Sequence, residues 1–230
     1  MHLLKYVAIT ALFCCSFANG KTIAVYVQPP IADAECAYAL RDVLSRQYTV
    51  KLLNHQTLTN DNLSNTDCLA FPGGLEDVDN FYTLLADKIK VVQNFISHGG
   101  AYLGICMGAY LADNDYFDIL KDVRVQQYIT RPKADFRKEE STIIPIRWYK
   151  NNHYMYFYDG PVFVGNLNNC KIIATYSNTD AMAIVQNKIG LVGCHLESKL
   201  DWYDTNKLKP FWHKEEHHKL LLDFVNLLLN

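Results

Sequence analysis

The chain has 230 residues, of which 50% are hydrophobic and 20% are charged, so it can bury a sizeable core and fits one domain better than two. Its formal net charge is -2, which gives no electrostatic basis for nucleic acid or an acidic membrane as the main partner. The sequence shows no low-complexity tract and no fixed-period repeat, which argues against a repeat architecture. We therefore expect a globular domain whose partner is a small-molecule substrate or ligand.

The first residues differ from the rest of the chain. Lys5 precedes an uncharged run from Tyr6 to Phe17, and small residues around Ala18 offer a cleavage site. This pattern is typical of a secretory signal peptide, and the apolar run is shorter than a membrane span. The sequence thus predicts a signal peptide at 1–20, a secreted or periplasmic protein without a stable membrane span after cleavage, and a single domain at 21–230. An uncleaved anchor or a buried N-terminal helix is the alternative.

The first half of the predicted domain alternates between strands and helices. In chain order these are a strand at Thr22–Val27, a helix at Ala34–Arg46, strands at Tyr48–Leu53 and Cys68–Phe71, a helix at Phe81–Ser97 and a strand at Ala101–Ile105. The last strand is wholly apolar, as expected for a central strand covered on both faces. The alternation predicts an α/β fold with a doubly wound, mostly parallel, flavodoxin-like sheet. Periodicity predicts that Leu84, Leu85, Ile89, Val92 and Ile96 form the inner side of the longer helix.

The second half is predicted to add an antiparallel extension to the same domain. The strands are expected at Thr142–Tyr149, Tyr154–Tyr158, Val162–Val164, Lys171–Tyr176, Met182–Gln186 and Gly190–His195, before a closing helix at Phe211–Leu229. Asn187 and Lys188 form a plausible hairpin tip. The charged, aperiodic stretch from Asp113 to Glu140 is interpreted as an excursion over the surface.

One cysteine lies where the apolar strand should meet a helix, in Gly104-Ile105-Cys106-Met107-Gly108. Glycines two residues before and after a nucleophile allow a turn so tight that side chains there would collide with neighbouring strands. The turn would hold the Cys106 sulfur above the carboxyl edge of the sheet, where open α/β folds bind ligands. The following helix would favour thiolate over thiol. A buried cysteine beside two packing glycines is the alternative.

Two further segments support a catalytic interpretation of Cys106. The loop Phe71-Pro72-Gly73-Gly74 follows another strand, so its amides and that of Met107 could form an oxyanion hole. His195 and Glu197 follow a predicted strand near the C-terminus, where a histidine could activate the thiol and a carboxylate could orient the imidazole. A plain turn and a surface His-x-Glu are the alternatives for these two segments.

Taken together, these segments resemble the class I glutamine amidotransferase-like superfamily. The cysteine turn resembles its Gly-x-Cys-x-Gly, and His195-Leu196-Glu197 resembles its His-Pro-Glu. Within the superfamily, the run from Gly99 to Tyr110 and the turn from Tyr158 to Phe163 are most similar to the N-terminal domain of biotin-protein ligases. The resemblance implies that Cys106 is the nucleophile, His195 the base and Glu197 the orienting acid. It also implies that Gly74 and Met107 lend oxyanion-hole amides and that Gly104 and Gly108 support the turn.

The sequence departs from the glutaminases of this class at two positions. Tyr110 stands where they commonly have a glutamine that shapes the substrate pocket, and Leu196 replaces the usual proline. The chain also lacks a Gly-Arg-Gly-Arg-like phosphate loop, so biotin ligation is not expected. The resemblance therefore favours a cysteine-dependent hydrolase or amidase-like enzyme that acts on a small amide or ester. A non-catalytic ligand-binding module with the same fold is the alternative, and peptidase or aldehyde-handling chemistry of the PfpI type is a further one.

We expect no cofactor and no metal site, and the sequence leaves the oligomeric state open. His213, His217 and His218 include an i, i+4 pair, but charged neighbours indicate a solvated helix face without a third ligand. Signal cleavage would leave five cysteines, an odd number, so at least one thiol is expected to stay free in an oxidising compartment. Disulfide pairing among Cys36, Cys68, Cys170 and Cys194 is left open, and small buried apolar side chains are the alternative for them.

Overall fold

The structure is a computed structural model that describes residues 20–28, 34–74, 77–205 and 207–230. The predicted signal peptide therefore lies outside the described residues except for Gly20. The strands are β1 Thr22–Tyr26, β2 Thr49–Leu53, β3 Cys68–Phe71, β4 Ala101–Ile105, β5 Val123–Gln127, β6 Thr142–Trp148, β7 Asn151–Phe157, β8 Pro161–Gly165, β9 Lys171–Tyr176, β10 Ala181–Gln186 and β11 Ile189–Val192. The α-helices are α1 Ala34–Leu44, α2 Asn60–Leu63, α3 Val78–Leu85, α4 Ile89–Ser97, α5 Met107–Tyr110 and α6 Glu216–Leu229.

All eleven strands join one mixed sheet. Its main path runs β2-β1-β3-β4-β11-β10-β9-β6-β7, while β5 pairs with β8 and β8 pairs with β10. The pairs from β2 through β11 are parallel, and the pairs beyond β11 are antiparallel. The predicted fold class, a doubly wound parallel sheet with an antiparallel extension, is confirmed.

The core lies on both faces of the parallel part because successive strand residues point in opposite directions. In β1, Ile23 and Val25 pack in the same cluster as residues of α1 and α6, whereas Ala24 and Tyr26 pack with residues of α3 and α4. Every residue of β4 is buried. A strand covered on both faces has no polar alternation, which is why the wholly apolar run Ala101–Ile105 indicated its central position.

The parallel arrangement brings three chain segments to one edge of the sheet. Strands β3, β4 and β11 are neighbours and run in the same direction. Their carboxyl ends therefore deliver the segment after Phe71, the segment after Ile105 and the segment after Val192 to the same place. These segments carry Gly74, Cys106, Met107, His195 and Glu197, which the sequence analysis proposed for a site.

The prediction of one continuous helix at Phe81–Ser97 is wrong. The segment consists of α3 and α4 joined by a 3-10 turn at Ala86–Lys88. The tighter turn changes the helical phase between α3 and α4, so the two helices do not share one continuous apolar face. Leu84 is 38% exposed, whereas Phe81 and Phe95 are buried.

The closing helix begins later than predicted, at Glu216 rather than Phe211. Lys209–Phe211 form a 3-10 turn that contains Pro210, and Lys214 and Glu215 both have left-handed backbone conformations. Two consecutive left-handed residues interrupt a right-handed helix.

The interpretation of residues 113–140 as a surface excursion is also wrong in part. The segment contains β5, which pairs with β8, and it buries Phe117 and Tyr128. Asp113 is 3% exposed and accepts hydrogen bonds from Arg124 and from the Val125 amide. The charged residues that suggested a solvated segment are thus, in part, hydrogen-bonded to one another within the fold.

Within the described residues, no helix is long and apolar enough to cross a membrane.

Candidate active site

Cys106 occupies a sharp turn between β4 and α5. Its backbone has φ 51° and ψ -109°, and α5 starts at the next residue. A positive φ is uncommon for a residue with a side chain and costs free energy unless the surroundings enforce it. The Cys106 amide donates a 2.9 Å hydrogen bond to the carbonyl of Val192, which ties the turn to the neighbouring strand. The strained conformation is therefore held by the sheet itself.

The two glycines around Cys106 have no room for a side chain. A Cβ on Gly104 would lie 2.5 Å from the carbonyl oxygen of Gly108. A Cβ on Gly108 would lie 2.0 Å from the carbonyl oxygen of Phe71. In both cases the obstacle is backbone, which cannot move aside as the end of a side chain can. The spacing Gly-x-Cys-x-Gly thus reflects direct contact of α5 with β3 and β4.

His195 lies just after β11, beside the cysteine. Its amide donates to the Tyr156 carbonyl at 3.0 Å, and its Nδ1 lies 2.9 Å from Oε1 of Glu197. Glu197 is fully buried, and its Oε2 has no hydrogen-bond partner in the described structure. With Nδ1 donating to Glu197, Nε2 is the nitrogen left to exchange a proton with Cys106.

The charge state of His195 follows from its neighbours. Burial by itself lowers the pKa of His195, but the adjacent Cys106 and Glu197 more than offset burial and raise this pKa well above its ordinary value. Side-chain hydrogen bonds to Cys106 and Cys36 act in the same direction. The neighbours of His195 therefore favour the protonated imidazole.

Two aromatic rings pack against the imidazole of His195. The ring centroids of Tyr156 and Trp202 lie 5.9 and 5.5 Å from that of the imidazole, both in edge-to-face geometry. Trp202 is fixed by donating its indole N–H to Glu35 at 2.8 Å. His195 is consequently only 4% exposed. These covering residues had no signal in the sequence, because they depend on how the segment after Glu197 folds back.

The prediction of a solvated face for His213, His217 and His218 is wrong for the last two. Both His217 and His218 are buried, and the Nε2 atoms of both donate to the carbonyl of Ser198, at 2.8 and 2.9 Å. Helix α6 packs its first turn against the loop after Glu197, so the charged neighbours face solvent while these imidazoles face inward. Two donors on one carbonyl hold the loop that carries His195.

A cleft of about 530 Å³ opens beside the Cys106 sulfur. Gly74, Met107 and Tyr110 line it together with Cys106, so the structure brings these sequence-predicted residues to one cavity. The Tyr110 hydroxyl donates to the carbonyl of Asp159 at 3.1 Å. Tyr110 therefore forms a wall that joins α5 to the loop before β8.

One group of side chains at this site has the chemistry of a metal centre. Ligand atoms of Cys36, His195 and Glu197 all lie within 4.8 Å of one another. A thiolate, an imidazole and a carboxylate are the donors that zinc prefers. The His195 Nδ1 is already engaged by Glu197, so a bound ion would replace that hydrogen bond rather than add to it.

The five cysteines among the described residues form no disulfide bonds with one another.

Comparison with solved structures identifies the class to which this fold corresponds. A glutamine amidotransferase from Thermotoga maritima superposes with a TM-score of 0.69 at 12% identity, covering 92% of this chain and 99% of that one. Another glutamine amidotransferase superposes with a TM-score of 0.64 at 16% identity, covering 90% and 98%. One from Methylobacillus flagellatus has a TM-score of 0.60 at 9% identity, covering 91% and 92%. The chain has the class I glutamine amidotransferase-like fold.

The sequence comparison refines this result. Residues 23–124 match the family model described as biotin-protein ligase, N terminal. The matched range extends from β1 into β5 and includes the Cys106 turn, whereas His195 and Glu197 lie beyond it. No curated protein matches the chain in sequence. Both levels of the resemblance that the sequence predicted are confirmed.

Proposed function

We propose that this protein is an exported cysteine-dependent hydrolase or amidase-like enzyme that acts on a small amide or ester. The observation that carries the proposal is the strained Cys106, which lines an open cleft and lies beside a buried His195–Glu197 pair. Cys106 serves as the nucleophile, His195 as the proton carrier and Glu197 as the group that orients the imidazole.

The proposed chemistry proceeds through a thioester. The Cys106 thiolate attacks the carbonyl carbon, a C–S bond forms, and the carbonyl electron pair moves to oxygen, where amides of Gly74 and Met107 would stabilise the charge. The His195 imidazolium protonates the leaving nitrogen or oxygen as its bond to carbon breaks. Neutral His195 then accepts a proton from water, which attacks the thioester, and the cysteine leaves as a thiolate beside the restored imidazolium.

A second candidate, a non-catalytic ligand-binding module, is favoured by one contact. The Cys106 sulfur lies 3.6 Å from the carbonyl oxygen of Tyr158 in donor geometry. Only a protonated thiol can donate to a carbonyl, so this contact suits a neutral cysteine. The two candidates therefore differ in the protonation state of Cys106 in the resting protein.

Labelling Cys106 with iodoacetamide at pH 6 distinguishes these candidates. We expect the wild-type protein to be labelled at least about tenfold faster than the His195→Ala variant, because the imidazolium sustains the reactive thiolate. The measurement is peptide-resolved mass spectrometry over time, with Cys170 as an internal reference thiol in the same protein. Circular dichroism confirms that the variant is folded.

Two results together would contradict the catalytic proposal. The labelling rate would rise with pH as for an ordinary thiol, with a midpoint at about 8.5, and the His195→Ala substitution would leave this rate unchanged. The same result would support the binding module.

Export is tested separately by the N-terminus of the protein produced in its own cells. We expect residues 1–20 to be removed, so that intact-mass and N-terminal peptide measurements give a start at about Lys21. A mature protein that begins at Met1 would refute this part of the proposal.

A further inference from the structure

The walls of the cleft beside Cys106 are strongly acidic. Five carboxylates line it, and the described residues that line it include no lysine, arginine or histidine. The carboxylates belong to Asp77, Asp113, Asp115, Glu139 and Asp159. The net charge of the whole chain is only -2, so this concentration is local to the cleft and is not a property of the surface as a whole.

Protein cations neutralise only part of this charge. Arg124 is not among the residues that line the cleft, but it forms ion pairs with both Asp113 and Asp115. Among the described residues, no ion pair involves Asp77, Glu139 or Asp159. Asp77 instead caps α3 by accepting from the Asp79 amide at 2.8 Å, which leaves its negative charge in place. The cleft therefore keeps a surplus of negative charge next to the nucleophile.

Asp159 is the carboxylate whose position is most informative. Its Oδ2 accepts a 2.9 Å hydrogen bond from the neutral amide of Gln127, and its Oδ1 is shielded from solvent without a partner in the described structure. It follows Tyr158, whose carbonyl contacts the Cys106 sulfur. Burial, and secondarily the charge of Glu139, raise the pKa of Asp159 to about 6. A carboxylate that is half-buried without a cation is destabilised, and a positively charged ligand would relieve this cost.

We infer that the substrate carries a positively charged group, an ammonium or guanidinium, that binds Asp159 while its amide or ester carbonyl reaches Cys106. This inference rests on the proposed function for the position of the reacting carbonyl. Glu139 and Asp77 attract the same charge over a longer range. An anionic group on the substrate would meet the same carboxylates and be repelled, so the cleft selects against free carboxylates.

Charge-matched thiol reagents test the inference without requiring turnover. Three methanethiosulfonates serve as probes: the cationic trimethylammonium-ethyl reagent, the neutral methyl reagent and the anionic sulfonatoethyl reagent. Each transfers its thioalkyl group to the Cys106 thiolate, forming a mixed disulfide and releasing methanesulfinate. We expect the ratio of cationic to anionic rate, normalised to a small free thiol, to be at least about tenfold in low salt and to fall in high salt.

Two variants assign this effect to the cleft. Asp159→Asn keeps a residue that tolerates the positive φ of 42° at this position, and Glu139→Gln changes an exposed side chain. Each should lower the normalised rate ratio severalfold, whereas Asp61→Asn, an exposed carboxylate on α2, should leave it unchanged. A ratio equal to that of the free thiol, or one that neither cleft variant changes, would overturn the inference.

The outcome is separable from that of the proposed function. If His195→Ala leaves Cys106 reactivity unchanged but the charge preference persists in the wild-type protein, the cleft is a cation-binding site in a non-catalytic protein. If His195→Ala slows labelling but no charge preference is found, the enzyme proposal stands and the cationic substrate is refuted.

Discussion

Replacing Gly108 by alanine is expected to lower the free energy of unfolding by about 3 kcal/mol, at the upper end of the range for overpacked sites. The added methyl group would lie 2.0 Å from the carbonyl oxygen of Phe71 and 2.6 Å from its carbon. Relief requires α5 and β3 to move apart, which would also displace the neighbouring Cys106. The measurement is equilibrium unfolding in denaturant, with unchanged dependence on denaturant confirming that the compactness of the states is the same.

Gly190→Ala is the matched control for this prediction. Gly190 is also buried in the sheet, but a Cβ there would meet the side-chain ends of Phe224 and Leu228, at 2.9 and 3.0 Å. Side-chain ends can rotate away, so the expected cost is about 1 kcal/mol, at the low end of the same range. Equal destabilisation by the two variants would show that contact with the strand backbone is not what requires glycine at Gly108.

Lowering the pH from 7 to 5 is expected to destabilise the protein by about 2 kcal/mol through His217 alone. Burial lowers the pKa of His217 to about 4, and the neighbouring His218 and His213 act in the same direction. The hydrogen bond to the Ser198 carbonyl and the negative charge of Glu215 oppose this shift. The unfolded chain binds a proton near about 6.5, so it takes up the proton first as the pH falls. The contribution of neutral His217 is therefore complete above about pH 6.5 and is lost as the pH falls toward 4.

The His217→Gln variant tests this contribution, because glutamine retains an N–H donor for Ser198 but does not titrate. We expect the difference in unfolding free energy between pH 7 and pH 5 to be about 2 kcal/mol smaller in this variant than in the wild type. His98→Gln, which removes an exposed imidazole at the end of α4, should retain the wild-type pH dependence. If His217→Gln retains it as well, His217 is not the group that titrates.

Local rules explain why much of the parallel half was predictable. Helix α1 and strands β1 to β4 follow the apolar periodicity of the sequence within two residues at each end. The Cys106 turn was predictable for a related reason, since only glycine fits where α5 contacts β3 and Gly104 contacts Gly108. Burial on both faces and close backbone approach each restrict residue type at the position where they act.

Contacts between distant segments explain what the sequence did not reveal. The burial of His217 and His218 depends on a carbonyl in another segment, that of Ser198, and their charged neighbours gave the opposite indication. The aromatic cover of His195 likewise depends on Trp202 being fixed by Glu35 on α1. Side chains whose partners lie far along the chain leave no periodic signal.

The sequence by itself predicted the cysteine turn, because only glycine fits where two backbone segments approach so closely. It also proposed His195 and Glu197 as partners of Cys106, through a resemblance and through their place after a predicted strand. Only the tertiary structure decided that β11 pairs beside β4 and delivers His195 to Cys106. It also decided that β5 and the loop before β8 bring Asp113 and Asp159 to the same cleft. Charge accumulates there through folding, since carboxylates that are separated along the chain interact strongly only when the sheet edge brings them together.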